Sequence, residues 1–188
     1  MFFNLPTLLT WARIIAIPLV VGVFYLEFEA GFQNLVATLL FVVVALTDWA
    51  DGYLARRLNM TSSFGAFLDP VADKFLVCAA LLVLVHLNRL HALVALVIIG
   101  REIAISALRE WMAHIGASRS VAVSMLGKIK TVVQMIAIPF LLYHGQLFGV
   151  IDTQFWGTVL IIIAAVLTIW SMVYYLRKAL PEIRAKAR

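Results

Sequence analysis

DWADGYLARRLNMTSSFGAFLDPVAD, residues 48–73, is the stretch on which the reading of this chain turns. It carries Asp48, Asp51, Asp69 and Asp73, four of the ten acidic residues in a chain that is 64% hydrophobic. Apolar runs flank it on both sides. A carboxylate at the edge of hydrocarbon is costly unless it meets a cation, a partner group or water. Four of them, with Gly52, Gly65 and Arg56 in between, point to a site for metal and a phosphorylated ligand.

The flanks set the class. Only 13% of the residues are charged, against about 25% in a soluble domain. Six apolar segments follow one another, at about 5–26, 32–54, 66–87, 90–113, 121–143 and 155–176, each near the roughly 20 residues that a bilayer-crossing helix needs. Lipid offers no partners to free backbone groups, and no ten-residue strand alternation is present, so all six are expected to be helices. The expectation is an all-α polytopic membrane protein, a single transmembrane domain over 1–188 with six spans. The start, MFFNLPTLLTWAR, has neither a basic leader nor a cleavage site, so the first segment reads as a retained helix. Cys78 is the sole cysteine; it excludes an internal disulfide and reads as a packing residue. The net charge of +5 would suggest nucleic acid in a soluble protein; in a membrane protein its distribution is what counts, and no nucleic-acid partner is expected.

That distribution is lopsided. With six spans, both termini and the links after the second and fourth share one side. This side receives Arg13, Arg56, Arg57, Arg119 and the tail Arg177, Lys178, Arg184, Lys186 and Arg188, with Lys74, Arg109, Lys128 and Lys130 close to it. Of the opposite links, only the one holding Arg89 breaks the pattern. The positive-inside rule makes both termini and the aspartate stretch cytoplasmic. The tail either holds anionic membrane lipids or only fixes topology.

Asp48 and Asp51 are three apart at the end of the second span, and Asp69 and Asp73 four apart at the start of the third, so each pair shares a helix face. Pro70 suits a first helical turn, with Asp69 as N-cap. Packed at the end of a helix hairpin, four carboxylates repel one another, and a hard divalent cation removes that penalty. Oxygen-only ligation favours Mg²⁺, Mn²⁺ or Ca²⁺ over zinc, and four carboxylates suffice for two ions. Gly52 and Gly65 let backbone approach a ligand, and Arg56 can neutralise a phosphate. The plainer reading, helix caps and interfacial charges, suits one aspartate but not all four with both glycines and the arginine.

The pattern D-x-x-D-G-x-x-A-R, eight residues, then G-x-x-x-D-x-x-x-D is filled at every fixed position, by Asp48, Asp51, Gly52, Ala55, Arg56, Gly65, Asp69 and Asp73. It resembles the signature of the CDP-alcohol phosphotransferases, the class I CDP-alcohol phosphatidyltransferase family. That resemblance implies six transmembrane helices, commonly in a homodimer, with a CDP-linked donor at the cytoplasmic face. It implies metal ligation by Asp48, Asp51, Asp69 and Asp73, with Mg²⁺ or Mn²⁺, two ions, and Asp73 as general base. It assigns Gly52, Ala55, Arg56 and Gly65 to the cytidine and pyrophosphate. The opening FNLPTLLTWARIIAIP and the later REIAISALREWMA and SVAVSMLGKIKT are similar to bacterial members of the family that use sn-glycerol 3-phosphate. For those the reaction takes CDP-diacylglycerol and glycerol 3-phosphate to phosphatidylglycerophosphate and CMP.

Residue chemistry speaks separately for a phosphorylated acceptor. Arg101 and Glu102 sit mid-span, where a charge faces a cavity or a partner, and Arg109 lies about two turns further on. Arg101, Arg109 and Lys128 or Lys130 form a candidate phosphate site; the plainer reading has Arg101 pair with Glu102 or Glu110 and lock helices. Thr10 and Arg13, at the end of the first span, either contact the donor or, for Arg13, only set topology. A lipid-open groove between spans is expected for the acyl chains. Two other readings stand: the same donor with serine, inositol phosphate or a second lipid as acceptor, and a small cation carrier. The carrier requires aspartates near mid-bilayer, broken helices and an internal repeat; here the aspartates fall at the cytoplasmic span ends and no repeat is visible.

Overall fold

The computed structural model describes the backbone of residues 5–58, 63–117, 121 and 124–186, and side chains over 10–47, 68–117, 121 and 124–184. Among these residues the α-helices are α1 Leu5–Gly22, α2 Ala30–Leu58, α3 Ser63–His86, α4 Ala92–His114, α5 Met125–Tyr143 and α6 Thr153–Lys186. A 3-10 turn, Val23–Tyr25, extends α1, and a small antiparallel hairpin, β1 Gln146–Leu147 with β2 Ile151–Asp152, joins α5 to α6.

The surface is that of a protein immersed in lipid. Leu19, Leu39, Val43, Leu82, Leu96 and Ile103 are each more than half exposed, although each is the kind of side chain a soluble fold would bury. Among the described residues α2, α5 and α6 are long and apolar enough to cross a membrane by themselves. Arg101, Glu102, Arg109 and Glu110 interrupt α4, and the apolar part of α1, Thr10–Tyr25, is shorter. The protein is a helical, multi-pass membrane protein.

The helices close a circuit: α1 packs on α2 and α3, α3 on α4, α4 on α6, α6 on α5, and α5 back on α2, with α3 also touching α5. One apolar core draws on Phe41, Leu81, Leu84, Ile98, Leu141 and Ile161. A second, smaller one gathers Ile105, Met112, Val121, Tyr175 and Ala179. Along α4 the two are separated by Arg101, and Lys130, Gln134, Thr168 and Ser171 are likewise buried. A polar layer thus crosses an otherwise apolar interior.

The two ends of the bundle are distinct. At the far end from the aspartates, the Tyr25 and His86 rings stack at 6.0 Å. There Arg89 Nη1 donates to the carbonyls of Leu141 (3.3 Å) and Leu142 (2.8 Å), and Nη2 donates to Asn34 Oδ1 (2.8 Å). The last carbonyls of a helix have no partners within it, so Arg89 caps α5 and ties it to α2. This accounts for the basic residue that breaks the charge pattern of the links. Burial pulls its guanidinium below the usual pKa. His144 closes α5 in the left-handed region, φ 48°, with its N–H bonded to Phe140 O at 3.2 Å. Beyond it α5 and α6 approach closely at Gly157, where a Cβ would lie 2.8 Å from Leu141 Cγ and 3.1 Å from Leu141 N.

Three local expectations change. α3 begins at Ser63, so Pro70 lies inside the helix and Asp69 is not its N-cap. A proline costs the bond to the carbonyl four residues back, and interior prolines are tolerated in membrane helices, as Pro18 and Pro139 also are here. α5 begins at Met125 rather than near 121 because Ser124 caps it, its Oγ accepting from Gly127 N at 3.2 Å. α2 and α6 run on to Leu58 and Lys186, past the apolar segments that marked them, since helix geometry does not end where hydrophobicity does.

Candidate active site

The motif is carried on two helices. Asp48, Asp51, Gly52, Ala55 and Arg56 lie in the last turns of α2, and Gly65 in the first turn of α3; their side chains fall outside the described residues. Asp69 and Asp73 follow on α3, one turn apart. Facing them on α1 are Thr10 and Arg13, both buried. The Thr10 hydroxyl donates to Asp69 Oδ1, and Arg13 Nη1 donates to Asp73 Oδ1 at 3.1 Å. A three-residue step on one helix is matched to a four-residue step on the other, so α1 fixes both carboxylates. Arg13 is sealed while the Asp73 side chain is 38% exposed, so this carboxylate keeps access to whatever binds beside it.

The second set belongs to the polar layer. Lys130 on α5 and Arg101 on α4 both pair with Glu102 Oε1, Arg101 Nη1 at 3.2 Å. Arg101 Nη2 donates to Ser171 Oγ on α6 at 3.0 Å. The guanidiniums of Arg101 and Arg109 lie over the Tyr175 ring, 5.7 and 5.1 Å from its centroid, a cation–π arrangement. The Tyr175 hydroxyl accepts from Arg109 Nη2 (3.2 Å) and Ser124 N (2.8 Å) and donates to Ser124 Oγ (3.0 Å). One aromatic side chain on α6 thus aligns two arginines and the start of α5.

Arg101 and Lys130 share one carboxylate, Glu102, and Arg109 meets the Tyr175 hydroxyl but no carboxylate among the described residues. Nε of Arg101, Nε of Arg109 and Oε1 of Gln134 are buried without hydrogen-bond partners among those residues. Buried charge is retained when it is paired; an excess of two positive charges with unused donors suits an anion such as a phosphate. A cavity of about 160 Å³ joins this layer to the motif, lined among others by Asp73, Lys74, Glu102, Lys130, Thr131 and Gln134. On the lipid side, an apolar recess of about 300 Å³ lies between α2 and α5 along Val42, Met135, Ile136, Pro139 and Phe140. A second recess of about 330 Å³ shares Val42 and Met135 with it.

Of the residues singled out in the sequence, Thr10, Arg13, Asp69 and Asp73 come together at one place, and Arg101, Arg109 and Lys130 at the adjoining one. Lys128 is exposed; two residues from Lys130 on a helix, it is rotated by about 200°. Arg101 does pair with Glu102, as the plainer reading had it, but with a donor to spare. Sequence reasoning passed over Tyr175, Ser124 and Gln134. A lone amide within a membrane span was the available signal for Gln134; Tyr175 gave none.

A family model for CDP-alcohol phosphatidyltransferases matches residues 3–170. A protein of Salmonella choleraesuis (strain SC-B67) is 51% identical over 181 residues, 95% of this chain and 96% of its own length. One from Escherichia coli (strain K12) is 50% identical over 185 residues, 97% of this chain and 98% of its own. Both are named CDP-diacylglycerol--glycerol-3-phosphate 3-phosphatidyltransferase. With the motif complete, the match spanning nearly all of the bundle and relatives alike from end to end, the chain belongs to the CDP-alcohol phosphatidyltransferase family.

Proposed function

We propose that this protein transfers the phosphatidyl group of CDP-diacylglycerol to sn-glycerol 3-phosphate, releasing CMP and forming phosphatidylglycerophosphate. The observation that carries the reading is the shared cavity: Asp73, last residue of the motif, and Lys130, in a cluster with excess positive charge, line the same space. A donor bound at the motif and a phosphorylated acceptor bound at the polar layer would meet there. The names of the relatives agree.

In this reading Gly52, Ala55, Arg56 and Gly65 hold the cytidine and pyrophosphate, and Arg101, Arg109 and Lys130 take the acceptor phosphate. Thr10 and Arg13 position Asp69 and Asp73. An oxygen of the glycerol bonds to the phosphorus bearing the diacylglycerol, the bond from that phosphorus to the CMP oxygen breaks, and the hydroxyl proton passes to Asp73. Asp48, Asp51, Asp69 and Asp73 would hold Mg²⁺ or Mn²⁺, two ions. The fit rests on a donor set of carboxylate oxygens alone, two of them placed one turn apart and braced from α1. When bound, such ions supply neutralisation of charge on the pyrophosphate and the departing CMP. The recesses between α2 and α5 accommodate an acyl chain. The charge asymmetry of the links supports six spans with termini and active site cytoplasmic, in the bacterial inner membrane; a homodimer is what membership of the family implies.

The test is CMP release by the purified protein from CDP-diacylglycerol, with glycerol 3-phosphate, serine or inositol phosphate, with and without Mg²⁺. Release only with glycerol 3-phosphate and Mg²⁺ is expected; metal-independent release, or release with serine instead, contradicts the reading.

A further inference from the structure

Gln134 is a carboxamide on an apolar helix. It is 3% exposed, its Oε1 has no hydrogen-bond partner among the described residues, and it lines the cavity shared by Asp73, Glu102 and Lys130. Its neighbours on α5, Val132, Val133, Met135, Ile136 and Ala137, are apolar. A buried polar atom left unsatisfied destabilises a fold, and an apolar side chain of the same size would not. Retaining the amide makes sense if something polar arrives in the cavity.

What arrives is constrained by chemistry. An amide is uncharged and offers an acceptor or, turned over, a donor, which suits a hydroxyl. Gln134 is one helical turn along α5 from Lys130, on the same face. A molecule whose phosphate lies at Lys130 therefore presents its carbon skeleton to Gln134, while its reacting hydroxyl must reach Asp73.

We propose that Gln134 recognises the non-reacting secondary hydroxyl of the acceptor and so selects glycerol 3-phosphate over phosphorylated alcohols that lack it. This rests on the reaction proposed above. Gln134 is a specificity residue in this scheme and takes no proton.

The experiment compares sn-glycerol 3-phosphate with 3-hydroxypropyl phosphate, which keeps the primary hydroxyl and the phosphate but lacks the secondary hydroxyl. CMP release is measured on the full-length protein in detergent with CDP-diacylglycerol. A site built to bond a hydroxyl rejects the analogue without it, so wild type should favour glycerol 3-phosphate at least about tenfold in kcat/KM. Gln134→Met should lose about tenfold to a hundredfold with glycerol 3-phosphate, the range for one hydrogen bond to a buried group. It should leave 3-hydroxypropyl phosphate unchanged or improved, with the KM for CDP-diacylglycerol unaltered. Its melting temperature should equal or exceed that of wild type, because an orphaned polar atom has been removed; Gln134→Asn should fall between in selectivity. Wild type that does not discriminate, a variant that loses both acceptors alike or retains the preference, or a variant that unfolds overturns the proposal. Absence of any release by wild type with glycerol 3-phosphate overturns the reaction itself and this inference with it.

Discussion

Arg89, in the link between α3 and α4, and Arg101, within α4, differ in what their donors do. Arg89 spends its guanidinium on Leu141 O, Leu142 O and Asn34 Oδ1 at the far end. Arg101 reaches Glu102 and Ser171 but keeps a buried Nε unpartnered among the described residues, as Arg109 does. The first braces α5 against α2; the second belongs to a layer that keeps buried donors without partners among the described residues. Arg89 is half-buried and Arg101 buried, and of the two only Arg101 keeps a buried donor without a partner among the described residues.

Changes in the Arg101 layer should therefore cost activity with little loss of stability, and changes at the Arg89 end the reverse. The largest effect is expected at Asp73. Asp73→Asn should lower kcat by about 10²–10⁴, the usual worth of a positioned base, with CDP-diacylglycerol binding intact; wild-type turnover would remove Asp73 from that role. Lys130→Met comes next. It should raise the KM for glycerol 3-phosphate about tenfold to a hundredfold, as for a charge-assisted hydrogen bond, and leave the KM for the donor alone. A change in the donor KM instead would move Lys130 to the other substrate.

At the Arg89 end, Gly157→Ala forces Leu141 to shift, and should destabilise by about 1–3 kcal/mol with steady-state constants retained, read from thermal unfolding in detergent. The smallest effect belongs to His144. Burial, then the charge of Arg89, hold its pKa below the usual imidazole value, with Asp152 opposing. A lowered pKa means that its contribution to stability is present above the unfolded value, near about 6.5, and is lost as pH falls through the folded one. Melting temperature should fall slightly between about pH 7 and pH 5.5. His144→Asn, tolerant of the left-handed backbone, should flatten that slope; an unchanged slope assigns the pH dependence elsewhere.

The helices and the motif were legible because each depends on residues near in sequence: apolar runs of span length, aspartates at steps of three and four. Pro70 misled because proline is locally a helix-start residue, and only the packing of α3 shows that the helix begins earlier. The pairing of Thr10 with Asp69 and of Arg13 with Asp73 joins positions 59 and 60 residues apart, and Tyr175 reaches Ser124 across 51. No periodicity encodes such contacts. The hairpin after α5 rests on Phe148 at φ 55° and Gly149 at φ 69°, too short a turn to stand out between two spans. Arg89 was visible as an anomaly of charge, and its reason lay in carbonyls of a helix more than fifty residues away.

The contrast between the two arginines is tested most directly by Arg101→Met and Arg89→Met in one detergent preparation, with melting temperature and the KM for glycerol 3-phosphate measured for both. Arg101→Met should raise that KM about tenfold or more with only a small change in melting temperature, while Arg89→Met should lose about 3 kcal/mol of stability with the KM unchanged. Equal losses of stability with neither KM altered would contradict the account, and would make the polar layer a second brace.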